Sequence, residues 1–153
     1  MAIYHLHVKV VGRKAGSSAV ASAAYRSASR LRDDRLERSH DFSNKRGVVH
    51  SEIMLPEDAP EQWSDRERLW NDVEAFEVRK DAQLGREVEF ALPREMTQAQ
   101  GIELARDFVQ SEFVDQGMIA DLVVVGPIPP ASRSGKNLKP PDRLIRAGFK
   151  RML

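Results

Sequence analysis

The 153-residue chain contains no cysteine. Disulfides, thiolate metal ligands and a cysteine nucleophile are therefore excluded, and any metal centre has to be built from histidine or carboxylate. Histidine is scarce as well: the four are His5, His7, His40 and His50, and none follows. No apolar run is long enough to cross a bilayer, and no charged, apolar, small-residue leader opens the chain. A soluble, cytoplasmic protein without a membrane partner is expected. No internal repeat is found, and the length and apolar content suit a single domain with a real core.

Charge is abundant and unevenly placed. The net charge of +1 conceals a basic first third, with ten Lys/Arg against four Asp/Glu in residues 1–50. Residues 51–121 are acidic, with seven against eighteen, and residues 122–153 are basic again, with seven against one. A basic opening fits a polyanionic partner, whereas the acidic middle reads as a solvated helical surface.

The organising stretch is residues 3–31. Residues 3–11 alternate, with Tyr4, Leu6, Val8 and Val10 on one face and Ile3, His5, His7 and Lys9 on the other. One face is expected to be core and the other free for chemistry. A basic glycine turn follows, Gly12-Arg13-Lys14-Ala15-Gly16, then a helix capped by Ser17 or Ser18 and built on small residues at 19–24. Tyr25 sits about two turns into that helix. Arg13, Lys14, Arg26, Arg30 and Arg32 lie near it in sequence. Cations lower the cost of ionising a phenol and attract phosphate, which is what a tyrosine needs to attack a phosphodiester. The plainer account of the same residues is an aromatic anchor packing a helix on a sheet.

Residues 32–46 read as a polar connection holding His40, Lys45 and Arg46. Residues 48–55 alternate again and are expected to form a second strand pairing with the first. A capping box at Ser64-Asp65-Arg66-Glu67 starts a helix with Leu69, Trp70, Val73 and Phe76 as core. Residues 86–92 read as a third strand, with Val88, Phe90 and Leu92 inward and Glu87 and Glu89 outward. Thr97-Gln98-Ala99-Gln100 caps a helix whose buried stripe is Ile102, Ala105, Phe108 and Val109. Residues 122–125 form a short, covered fourth strand. The composition changes at Gly126. The expected division is a folded domain, 1–125, and a Pro/Lys/Arg-rich tail, 126–153, disordered or weakly docked, whose last segment from Arg143 is a docked helix or loose.

Several stretches, in order, resemble the MobA/MobL family of plasmid relaxases. They are Ala2-Ile3-Tyr4-His5-Leu6-His7-Val8-Lys9, Ser18-Ala19-Val20-Ala21-Ser22-Ala23-Ala24-Tyr25-Arg26-Ser27, Arg46-Gly47-Val48-Val49-His50-Ser51-Glu52, Arg86-Glu87-Val88-Glu89-Phe90-Ala91-Leu92-Pro93-Arg94-Glu95 and Gly117-Met118-Ile119-Ala120-Asp121-Leu122. The resemblance implies an α/β (α+β) fold: an antiparallel sheet of about four or five strands with helices on one face, relaxase or ferredoxin-like, here incomplete at the C-terminus. It implies a domain that nicks single-stranded DNA at a plasmid transfer origin, with Tyr25 as nucleophile, and relaxosome proteins or an intact relaxase as further partners. Arg13, Lys14, Arg26, Arg30, Lys45 and Arg46 would contact phosphate, and Glu87 and Glu89 would support the site.

The resemblance also implies a divalent metal, Mg or Mn, held by three histidines. One ends the strand after Gly-Met-Ile-Ala-Asp-Leu, and the others form a His-x-His pair on the next strand. Here Val124 and Val125 stand at the first position, and no histidine follows His50. The chain therefore reads as cut off before that pair, with nicking weak or absent and DNA binding partly kept. His5 and His7, with Glu87 and Glu89, are the candidates for a substitute metal site. A non-catalytic DNA-binding or relaxase-partner module is the alternative.

Overall fold

The computed structural model describes residues 6–13, 16–93, 95–126 and 143–151. Seven strands and three α-helices follow in the order β1 (Leu6–Gly12), α1 (Ala19–Ser27), β2 (Arg30–Asp33), β3 (Arg38–Asp41), β4 (Val48–Met54), α2 (Arg66–Phe76), β5 (Gln83–Ala91), α3 (Gln98–Val109), β6 (Ile119–Val125) and β7 (Leu144–Lys150). Five strands form one antiparallel sheet in the order β1-β5-β7-β6-β4, and β2 with β3 make a separate hairpin. Ile3, Tyr4, His5 and Lys14 lie outside the described residues.

The mixed α/β class and the antiparallel sheet are as expected, but the helices lie on both faces. Alternate residues of β6 point into different cores. Leu122 and Val124 join Ala105 and Val109 of α3, whereas Ile119 joins Val20 and Ala23 of α1 and Leu69, Trp70 and Val73 of α2. A strand covered on both sides cannot alternate polar and apolar, which is why β6 reads as a continuous apolar run. Glu87 is consequently not outward-facing: it is buried beneath α1.

The strand neighbours also differ from the sequence reading. β4 pairs with β6 at the far edge of the sheet and not with β1. Residues 144–150, expected in a helical or loose tail, form β7 in the middle of the sheet, hydrogen-bonded to β5 and β6. Ile145, Ala147 and Phe149 point to the α3 side and are buried, while Arg146 and Gly148 point to the α1 side. The segment after the proline-rich stretch thus supplies the middle strand of the sheet. Residues 127–142, the proline-rich part of the expected tail, lie outside the described residues.

Local chemistry explains the elements. Ser18 caps α1, its hydroxyl accepting from the Val20 and Ala21 amides, and Gly16 reaches φ +75° to let the chain turn before it. Thr97 and Gln100 form a reciprocal capping box on α3. Asp65 caps α2 alone, after a 3₁₀ turn at Glu61–Ser64. The polar connection after α1 is in fact the β2–β3 hairpin, closed with Glu37 at φ +53°. Phe76 is exposed, because α2 ends there and the chain leaves the core. On the edge strand β1, Leu6, Val8 and Val10 are 64%, 61% and 51% exposed, so neither face of its outer part is core.

Candidate functional site

Helix geometry separates Tyr25 from its neighbour Arg26 by about 100° around the axis, and the two side chains go to opposite environments. Arg26 points down onto the sheet and is 1% exposed. Its Nη1 donates to Glu87 Oε2 at 3.1 Å and its Nη2 to Asp121 Oδ2 at 3.3 Å, and its Cζ lies 5.3 Å from the centre of the Trp70 ring. Asp121 also accepts from Trp70 Nε1 at 2.9 Å and from Arg66, whose Nε and Nη2 reach Oδ1 at 3.0 and 2.8 Å. Burial alone would raise the Asp121 carboxyl; the guanidinium charges of Arg26 and Arg66 and the hydrogen bonds from Arg66 and Trp70 outweigh it and hold the group below its ordinary range.

Tyr25 points the other way. The residue is 48% exposed, and its ring meets Phe42 edge to face at 5.3 Å between centroids. Lys45 Nζ lies 3.6 Å from the ring centre and donates to the Tyr25 carbonyl at 2.9 Å, and Arg146 Cζ lies 6.0 Å from the ring centre. The ring borders a cavity of about 370 Å³ lined also by Lys9, Ser22, Glu87, Glu89 and Arg146. Burial, followed by repulsion from Arg146, lowers the Lys45 ammonium from its usual value, although Glu87 and Glu89 pull the other way. The cavity is thus an open recess bordered by Tyr25, in whose lining the cations Lys9 and Arg146 stand with the carboxylates Glu87 and Glu89.

The floor is set by strand register. His7, Glu89, Arg146 and Val123 stand in one cross-strand row, and Lys9, Glu87, Gly148 and Asp121 in the next, both facing α1. Arg146 Nε lies 3.2 Å from Glu89 Oε2 without hydrogen-bond alignment. A second polar knot holds the start of α1. Asp33 accepts from Ser18 and lies 3.0 Å from His40 Nε2, and Glu74 accepts from the Ala19 amide at 2.7 Å. Burial opposes ionisation of Asp33, but bonds from Ser18, His40 and the Leu36 amide keep its carboxyl low.

The residues singled out from sequence divide into two groups. Tyr25, Glu87 and Glu89 line one recess and Lys45 lies over the Tyr25 ring, and Arg30 and Arg46 are exposed. Arg13 and Arg26 are instead turned toward partners within the fold. Arg13 grips Glu74 at 2.7 Å and the Glu74 and Arg79 carbonyls at 2.9 Å, and Arg26 is sealed under α1. His50 is on the opposite edge, 3.3 Å from Glu52. Arg146, Arg66 and Asp121 were not assigned a role by sequence. The signal for Arg146 was the period-2 pattern Leu144-Ile145-Arg146-Ala147-Gly148-Phe149-Lys150, half apolar and half polar.

The divalent ion implied by the resemblance does not fit the residues on this face. Of the four alternate β7 positions on the α1 side, Leu144 is apolar, Lys150 is a cation tied to Glu77, and a third carries the Arg146 guanidinium. The fourth is Gly148, where an added Cβ would lie 2.8 Å from Arg26 Nη2. Among the described residues no three His, Asp or Glu side chains converge as a ligand set, and His5 is not among those residues. Among them, too, no helix is long and apolar enough to cross a membrane.

Residues 17–128 match the MobA/MobL family. The conjugal transfer protein TraA of Agrobacterium fabrum is 44% identical over 80% of this chain, which spans 12% of that relative. The mobilization protein MobL of Acidithiobacillus ferridurans is 42% identical over 83% of this chain and 33% of its own length. A chain solved in work on the molecular basis of vancomycin resistance transfer in Staphylococcus aureus superposes with a TM-score of 0.81 at 35% identity, covering 97% of this chain and 70% of that one.

Proposed function

Because the chain belongs to the MobA/MobL family, we propose that it is a relaxase-like domain that receives single-stranded DNA of a plasmid transfer origin in the Tyr25 recess, in conjugal transfer or mobilisation. The observation that carries this reading is the half-exposed Tyr25 ring flanked by Lys45 and Arg146 at the rim of a cavity. A buried anchor would not be placed in this way. Tyr25 is the nucleophile, and Arg30, Lys45 and Arg46 attract the strand through its phosphates. Glu87 and Glu89 position cations: Glu87 bonds Arg26, and Glu89 lies against Arg146. Strand cleavage is slow, because no His, Asp or Glu set among the described residues would hold the ion implied by the resemblance.

The test is a binding titration of a randomised single-stranded oligonucleotide pool, followed by fluorescence anisotropy across a range of salt. Affinity should fall steeply with salt and exceed that for duplex DNA of the same length. Tyr25→Phe should bind as the parent does but form no covalent protein–DNA adduct. Salt-insensitive binding, or an adduct that survives Tyr25→Phe, would overturn the reading.

The exposed apolar strip of β1 favours a second, compatible role as a module that docks another relaxosome protein. A sheet edge carrying Leu6, Val8 and Val10 in solvent is suited to pairing.

A further inference from the structure

A phosphodiester bound beside Tyr25 needs positive charge for the two oxygens that gather charge as the phenol attacks. The sheet face below the phenol supplies that charge from side chains alone. Arg146 stands on the central strand β7 with its Cζ 6.0 Å from the Tyr25 ring centre. Its contact with Glu89 runs through Nε, at 3.2 Å. Its two terminal nitrogens, the edge with which a guanidinium grips phosphate, donate no hydrogen bond to any of the described residues. Lys45 Nζ, 3.6 Å from the same ring centre, uses one of its donors on the Tyr25 carbonyl and has others to offer. The next position along β7 on this face is closed by Arg26, which occupies the space over Gly148.

We propose that Arg146, assisted by Lys45, is the resident cation of this recess and binds the scissile phosphate, so that the reaction at Tyr25 runs without a divalent ion. The inference rests on the reading of the Tyr25 recess as a DNA site. In the step, the phenol oxygen forms a bond to phosphorus while the bond from phosphorus to the 3′ oxygen breaks. The 5′ phosphate of the downstream strand stays on Tyr25, and the phenol proton passes through water to the departing oxygen, which leaves as a hydroxyl. No electrons change hands. Arg146 lies against Glu89 before DNA arrives, and burial and repulsion from Arg146 disfavour the Lys45 charge more than Glu87 and Glu89 favour it. A phosphate entering beside the two cations offsets their mutual repulsion. Fixed guanidinium and ammonium groups stabilise less charge than a bound divalent ion, which agrees with slow cleavage.

The experiment incubates the whole chain with a 3′-labelled randomised single-stranded pool in EDTA and in Mg²⁺, and counts covalent adducts on denaturing gels. In parallel, Mn²⁺ is titrated and the amplitude of its free-ion spin-resonance signal recorded. Equal adduct yields in the two buffers, and a free Mn²⁺ signal undiminished by the protein, are expected. Arg146→Ala should lower the yield by about tenfold or more while single-stranded binding falls far less. Arg146→Lys should recover part of it, which a merely structural role on β7 would not produce. An adduct seen only with Mg²⁺, no adduct in either buffer despite tight DNA binding, or an unaffected Arg146→Ala variant would overturn the inference alone. Absence of single-stranded binding would overturn the function reading as well.

Discussion

Arg26 packs so closely over Gly148 that a Cβ on the glycine would lie 2.8 Å from Nη2 and 3.0 Å from Cζ of the arginine, with Trp70 Cζ2 at 3.2 Å. The guanidinium has little freedom to withdraw, being tied to Glu87 and Asp121. Gly148→Ala should therefore destabilise the fold by about 1–3 kcal/mol. A urea melt should show a lower midpoint at unchanged slope.

The cations of the first third should separate into two classes by experiment. Arg26→Ala removes one partner from a buried ionic cluster and should cost about 3–5 kcal/mol of stability. Arg46→Ala touches an exposed side chain and should stay within about 0.5 kcal/mol, yet weaken single-stranded binding and reduce its salt slope by about 0.7. Thermal melts and anisotropy titrations on both variants check the contrast.

Acid should unfold the protein through its buried carboxylates. Asp121 and Asp33 both have folded values held below the ordinary 3.8. Groups lowered in this direction contribute stability that is full above the unfolded value and is lost as pH falls through the folded one. The urea midpoint should be level near neutrality and drop below about pH 4, and Asp33→Asn should flatten that acid limb. A midpoint that rises on acidification would contradict the assignment.

Ala28 ends α1 in the left-handed region, at φ +52° and ψ +50°, its amide donating back to the Ala24 and Tyr25 carbonyls. Ala28→Gly relieves that strain and should raise stability by up to about 1 kcal/mol. Differential scanning calorimetry would register it as a higher Tm.

Much of this architecture was legible in the residues themselves. The alternation at 48–54, the continuous apolar run of β6, the Ser18 cap and the Thr97–Gln100 box each lead to an element that is present. Tyr25 could be singled out, but its cation neighbours could not. Arg26, adjacent in sequence, is turned away by helix geometry, whereas Lys45 and Arg146 come from a distant turn and a distant strand. β7 reads ambiguously because Arg146 and Lys150 stand four residues apart among apolar neighbours, which also suits an amphipathic helix, and only pairing with β5 and β6 decides between them. The role of Asp121 needed three partners from two helices, which no local pattern announces.

The strand that comes last among the seven is the one that joins the sheet together. Until it arrives, β1–β5 and β6–β4 are two separate ribbons, each with an open inner border. On a ribosome making the chain from its N-terminus, both ribbons would wait for residues 144–150 before the platform beside Tyr25 could close. The sheet thus becomes whole only with residues 144–150, and Arg146 enters the recess in the same step.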